Sequence, residues 1–418
     1  MSHSGTLILI MAIAVLAPLL AYGIGRWLPV PLVIFEILLG IVIGPDVLGW
    51  AQRDAVIDVL SQLGLAMLIF LAGYEIEFGK VRGSTLKRSA AAWLIALALG
   101  LGLGTLLANV GDDGGFSKGV FIGTALTSTA LGTVLPVLRD SGDLGGRFGQ
   151  VMMAFGSVGE FGPIVAMALL LSGRSAWQST ALLATFAALT AAAVYWAMRP
   201  KPPWFSGIIA KTLHSSGQFA VRFVVLLLAL MLGASQALGL DVLLGAFAAG
   251  LITRLVLNGA APSSSGEILA KVEAMGFGFL VPVFFVVTGI EFDLRSLLDG
   301  GRALLLLPVF LALFVVVRGL PVRLLAPPDL GGPDRTALML FSSTALPLVV
   351  AITTIGLDDK VLTASESAAL VGAGMVSVLV FPLLALKCRA GTGPGSGSGS
   401  GSGSGEKAKV GRVESESW

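Results

Sequence analysis

Across 418 residues the chain is 55% hydrophobic and only 12% charged, with 55 glycines and a formal net charge of +2. That composition belongs to a polytopic helical membrane protein, and long unbroken apolar runs such as Ala91 to Leu107 exclude a barrel of alternating strands. The small net charge implies no nucleic-acid partner, the two histidines (His3, His214) make no metal cluster, and the lone Cys388 closes no intrachain disulfide.

Apolar runs long enough to cross a bilayer, at about 20 residues each, fall near 6–25, 29–48, 56–78, 88–109, 117–138, 148–171, 178–198, 217–237, 240–258, 274–291, 302–325, 334–356 and 363–387, thirteen in all. The first lacks the charged n-region of a signal peptide and is kept as a span; the second follows almost at once, at Pro29 and Pro31. With the N-terminus outside, sixteen loop Lys and Arg residues fall on the cytoplasmic side, from Arg26, Lys80 and Arg82 through Arg139, Lys201, Arg254 and Lys271 to Arg389. Six fall outside: Arg53, Lys118, Arg174, Arg295, Arg302 and Lys360. That asymmetry favours a cell-membrane protein with its N-terminus out and its C-terminus in the cytoplasm. The stretch Ser263 to Met275 has one polar and one apolar face and is expected to lie along the membrane surface, with an extended helix end as the alternative. Two parts follow: a transmembrane domain over residues 1–389, and a Gly/Ser-rich flexible polar tail over 390–418 whose composition cannot bury a core.

Within the sixth run, the stretch Gly156-Ser157-Val158-Gly159-Glu160-Phe161-Gly162-Pro163 places a carboxylate near the middle of the membrane. A charge there costs about 2.5–3.5 kcal/mol on insertion scales, so an intramembrane acid is a functional candidate by default. The glycines and proline around it leave room for close packing or for an ion. Four other acids read differently: Glu36 as a structural partner, Glu75 and Glu291 as helix-end anchors, Asp241 as an N-terminal helix charge.

The chain also echoes itself. LAMLIFLAGYEIEF (65 to 78) is answered by VPVFFVVTGIEFDL (281 to 294), and Ser128-Thr129-Ala130-Leu131 recurs as Ser343-Thr344-Ala345-Leu346 in the same register. The third span thus matches the tenth and the fifth the twelfth. Partners seven spans apart cross the membrane in opposite senses, which makes an inverted repeat of the kind secondary transporters use. Hydroxyls followed by Pro136 and Pro347 predict that both repeated spans are interrupted, and such backbone is tolerated at membrane depth only where it lines a cavity.

Five segments together, PLVIFEILLGIVIGPDVLGW (31 to 50), LAMLIFLAGYEIEF (65 to 78), ALTSTALGTVLPVLRDSG (125 to 142), GLDVLLGAFAAGLI (239 to 252) and FLVPVFFVVTGIEFDL (279 to 294), resemble the Kef/Nap branch of monovalent cation/proton antiporters, the cation:proton antiporter-2 family. The resemblance implies an all-α inverted-repeat fold of about thirteen helices, with a dimerising panel and a mobile core where two broken helices cross. It implies a homodimer in the lipid bilayer that exchanges Na⁺ or K⁺ for H⁺, with no cofactor and no enzymatic activity. The family's acidic pair matches Gly159-Glu160, a departure that leaves the acid without its polar predecessor. The family's basic residue matches Arg318, expected to compensate the negative ends of the broken helices or to pair with an intramembrane acid. Members with Lys at that position are often electrogenic, so Arg318 points to electroneutral exchange. An alkali cation, the only metal expected, would find its oxygen ligands in Glu160, Thr127, Ser128, Thr129 and Ser157, with Ser343 and Thr344 from the second break. Proton and cation would compete for the one carboxylate. A potassium efflux channel or sensor of Kef type and an organic-anion symporter are the alternatives.

Overall fold

The computed structural model describes residues 3–25, 31–51, 54–75, 83–109, 115–170, 176–199, 203–260, 262–299 and 301–390. Arg26, Pro29, Arg53, Lys80, Arg82, Arg174, Lys201 and the tail from 391 lie outside them. The described residues form helices: α1 (His3–Gly25), α2 (Leu32–Ile43), α3 (Ala55–Glu75), α4 (Ser84–Asn109), α5 (Phe116–Leu126), α6 (Leu131–Asp140), α7 (Arg147–Leu170), α8 (Ala176–Met198), α9 (Pro203–Thr212) and α10 (Phe219–Ala237). There follow α11 (Val242–Ala260), α12 (Ser265–Met275), α13 (Val281–Ile290), α14 (Leu294–Asp299), α15 (Gly301–Leu313), α16 (Leu320–Leu325), α17 (Gly332–Ser342), α18 (Pro347–Asp358) and α19 (Ala364–Ala390). Among the described residues twelve segments are long and apolar enough to cross a membrane. Where the second of the thirteen expected spans was placed stands α2, apolar but only 12 residues long.

Both repeated spans are interrupted. The fifth breaks between α5 and α6 and the twelfth between α17 and α18. In the fifth span the break falls at Thr127 to Ala130, where hydroxyls back-bond to the preceding turn, while Pro136 sits inside α6. In the twelfth, Pro347 opens α18, where its missing N–H costs nothing. The two breaks meet directly: the Ala130 N–H donates to the Thr344 carbonyl at 2.7 Å. Main-chain groups freed by one interruption are thus satisfied by the other, deep in the protein and away from lipid.

The packing shows the repeat as well. Helix α3 lies on α11 so closely that a Cβ on Gly73 would stand 2.3 Å from the Phe247 carbonyl oxygen, and one on Gly250 2.0 Å from that of Phe70. The counterpart α13 lies on α2 in the same way, with Gly289 against Ile37 and Gly40 against Val286 at 2.1 and 2.2 Å. Third on ninth and tenth on second are the same contact in the two halves. Only glycine permits backbones to approach this far, and in lipid such van der Waals contact drives helix association.

The segment from Ser263 corrects an expectation. It does not lie apart on the membrane surface: α12 passes through a π-helical turn, Gly276–Leu280, into α13 as one continuous helix. The apolar face that suggested an interfacial helix is covered by protein, with Ile268 and Val272 both buried. A similar π turn, Phe314–Gly319, joins α15 to α16. Each turn is followed two residues later by a proline, Pro282 and Pro321, whose ring would collide with the carbonyl four residues back in a regular helix.

Candidate functional site

Helix α7 carries the candidate acid. Gln150, Met153 and Ser157 line a cavity of about 400 Å³ that also meets α3, α6, α11 and α12. Their spacing is that of one helix face, and Glu160, three residues beyond Ser157, continues the stripe one turn deeper. Glu160 is 3% exposed and, among the described residues, its carboxyl makes no hydrogen bond or ion pair. Ser157 Oγ, on the cavity wall, is also buried and unpartnered.

Pro163 explains how α7 meets the first break. A residue with an N–H at this position would donate to the carbonyl of Gly159, four residues back; proline cannot. The Gly159 oxygen is instead taken by the Thr129 N–H at 2.9 Å, which fixes the broken stretch beside Glu160.

Arg318 completes the crossing. The π turn places it fully inside the protein, where Nε donates to Thr129 Oγ1 at 2.8 Å and Nη2 to the Phe155 carbonyl at 2.6 Å, leaving Nη1 unpartnered. Thr129 Oγ1 in turn donates to the Ser342 carbonyl at 2.7 Å, the last residue of α17. The guanidinium is therefore linked through one hydroxyl to the negative end of a half-helix. Arg318 itself contacts the Thr129 hydroxyl and a main-chain carbonyl inside α7, and reaches the helix end only through Thr129; among the described residues it makes no ion pair with an acid. Gly159 is what lets it in, since a Cβ there would stand 2.1 Å from Arg318 Nη2 and 2.5 Å from Thr129 Oγ1.

The other expected oxygens are divided. Thr127 and Ser128 donate back to Thr124 and Ala125, and Ser343 and Thr344 back to Met339 and Leu340, all of them buried at the two breaks. A hydroxyl that donates still has lone pairs to offer. Asp241 caps the start of α11 by accepting from the Leu243 N–H at 2.8 Å, and Glu36 is buried in α2. Three residues had no role in the sequence reading: Arg139, Arg254 and Glu273 all line the cavity beside Glu75. In sequence the first two read as loop charges and Glu273 as part of an amphipathic helix; no local signal marks a residue whose partners come from four other helices.

The model of the family described as "Sodium/hydrogen exchanger, transmembrane" matches residues 11–386. The chain belongs to that family. It is a multi-pass membrane protein, and the Kef/Nap resemblance falls within the same group. Among curated relatives, it is 26% identical over 408 residues to "Putative Na(+)/H(+) antiporter YjbQ" of Bacillus subtilis, covering 92% of this chain and 63% of that one. It is 27% identical over 297 residues to "Na(+)/H(+)-K(+) antiporter GerN" of Bacillus cereus, covering 68% and 71%, and 29% identical over 309 residues to "Cation/H(+) antiporter 18" of Arabidopsis thaliana, covering 69% and 37%. The chain thus spans less than two thirds of the length of the first and last of these. Among solved structures, the sodium proton antiporter MjNhaP1 of Methanocaldococcus jannaschii at pH 8 superposes with a TM-score of 0.64 at 18% identity, covering 91% of this chain and 97% of that one. This family member therefore shares the antiporter's all-helical fold.

Proposed function

We propose that this protein is a secondary transporter exchanging a monovalent cation, Na⁺ or K⁺, for H⁺, with Glu160 as the group that holds one or the other. The observation that carries the reading is a buried carboxylate with no partner among the described residues, one turn beyond the Ser157 wall of a cavity and next in sequence to Gly159, whose carbonyl accepts from the first break. A buried charge without a partner is costly, so the carboxylate is stable in the membrane only with a proton or a cation on it. Half-helix ends and hydroxyl lone pairs around the crossing would supply the oxygen dipoles that replace ion hydration, with Thr127, Ser128, Thr129, Ser157, Ser343 and Thr344 as the candidate ligands. The names of the relatives, Na⁺/H⁺, Na⁺/H⁺-K⁺ and cation/H⁺ antiporters, support the same pair of substrates. Family membership fits a transporter rather than an enzyme, working as a homodimer in the cell membrane, with the N-terminus outside and the C-terminus in the cytoplasm.

One carboxylate at the crossing implies one-for-one, electroneutral exchange, because Gly159 offers no second side chain beside Glu160 and Arg318 holds its proton. The test is purified protein in liposomes, with Na⁺, K⁺ or Li⁺ gradients and an internal pH dye. Wild type should move protons against the cation, and Glu160→Gln, nearly isosteric, should abolish this while keeping a monodisperse folded protein. An imposed potential of about 100 mV, worth about 2.3 kcal/mol per charge, should leave the rate unchanged. Full activity in Glu160→Gln would move the site elsewhere, and a several-fold acceleration by the potential would end the one-carboxylate mechanism.

A further inference from the structure

The cavity that ends at Ser157 holds two more carboxylates than the exchange reading uses. Glu75 closes α3 and Glu273 projects from α12; both face the 400 Å³ cavity, and both also line a smaller adjoining one of about 100 Å³. They are close enough for their charges to act on each other, Arg139 and Arg254 act on Glu75 in the opposite sense, and Glu75 is within Coulombic reach of Glu160 as well. Two guanidinium groups share the wall. Arg254 is committed to α3, where Nη1 donates to the Tyr74 carbonyl at 2.7 Å and the group lies over the Tyr74 ring. Arg139 lines both cavities with the two acids. Ser157, only 6% exposed and one turn of α7 before Glu160, lines the same cavity, and its Oγ has no partner among the described residues.

The volume is that of about a dozen waters at roughly 30 Å³ each, so an ion entering here is still largely hydrated. Two facing carboxylates repel one another, and a cation between them relieves that repulsion while giving up little of its water. A cation held there would also favour loss of the proton from Glu160 and be one short step from the Ser157 oxygen. We propose that Glu75 and Glu273, with Ser157 Oγ on the same cavity wall, form a waiting station that takes up a hydrated alkali cation from the cavity before it reaches Glu160. This gives Glu75 a binding task in place of the helix-end anchor that its position in the sequence suggests. The inference rests on the exchange reading above.

The experiment measures cation-driven proton movement in liposomes over a Na⁺ series for wild type, Glu75→Gln, Glu273→Gln, the double variant and Ser157→Ala. The double variant should raise the KM for Na⁺ about tenfold while the maximal rate stays within about twofold, since only the capture of the ion is weakened. Raising ionic strength with choline chloride should raise the wild-type KM and leave that of the double variant nearly flat, because the attraction being screened is gone. Glu75→Asp should restore most of the affinity. An unchanged KM in the double variant overturns the station, and so does a lost maximal rate at unchanged KM, which is the signature of a helix anchor. Should Glu75→Gln fold poorly, Glu273→Gln and Glu75→Asp carry the same comparison. Wild type without cation-driven proton movement would instead overturn the exchange reading, and the station with it.

Discussion

Replacing Gly159 by alanine tests the arrangement at the crossing with one methyl group. The added Cβ would lie 2.1 Å from Arg318 Nη2, 2.8 Å from its Cζ and 2.5 Å from Thr129 Oγ1. Ordinary contact needs about 3.5–4.0 Å, so the guanidinium must retreat by more than an ångström, and its 2.6 Å bond to the Phe155 carbonyl cannot survive. A hydrogen bond to a charged group is worth about 1.5–3 kcal/mol. Overpacking a filled interior adds about 1–3 kcal/mol. Against these stands the better helix propensity of alanine, about 1 kcal/mol at a mid-helix site. The balance is a loss of about 2–5 kcal/mol. The assay is thermal unfolding in detergent, followed by tryptophan fluorescence and by size-exclusion profile, for Gly159→Ala, Arg318→Met and the double variant. With the guanidinium gone, the cost of the alanine should shrink by about 2 kcal/mol, leaving only the smaller clash with Thr129. A cost that is the same in the Arg318→Met background as in wild type would refute the claim that Gly159 is small in order to seat the guanidinium.

Two further outcomes follow from the same contacts. Thr129→Val keeps shape but removes both the acceptor for Arg318 Nε and the donor to the Ser342 carbonyl, so it should destabilise the fold by about 2–4 kcal/mol; unfolding within about 0.5 kcal/mol of wild type would mean that this hydroxyl serves only the ion. Pro163→Ala supplies an N–H that competes for the Gly159 carbonyl, so the Thr129 amide should exchange with deuterium faster than in wild type while α7 itself is better protected. Unchanged exchange at Thr129 would show that the proline does not set that link.

Much of this molecule was legible in one dimension because lipid imposes strict rules on a chain. Backbone groups must pair within a helix, so the spans show as apolar runs of fixed length, and the exceptions show as hydroxyl-rich stretches such as Thr127 to Ala130 and Ser343 to Leu346. Glu160 stood out for the same reason: a carboxylate in an apolar run is expensive wherever it sits. The repeat of LAGYEIEF and VTGIEFDL in opposite senses likewise required no coordinates. What only the tertiary structure decided is which groups face one another. That Gly159 is a seat for Arg318, that Pro163 frees a carbonyl for Thr129, and that Glu75 and Glu273 share a cavity all depend on side chains tens to hundreds of residues apart. The helix of Ser265–Met275 shows the limit most plainly, since its amphipathic pattern is equally served by a bilayer surface or by a protein wall. The pattern records that one face is apolar; only the packing of α10 and α11 against it determines what covers that face and turns Glu273 towards the site.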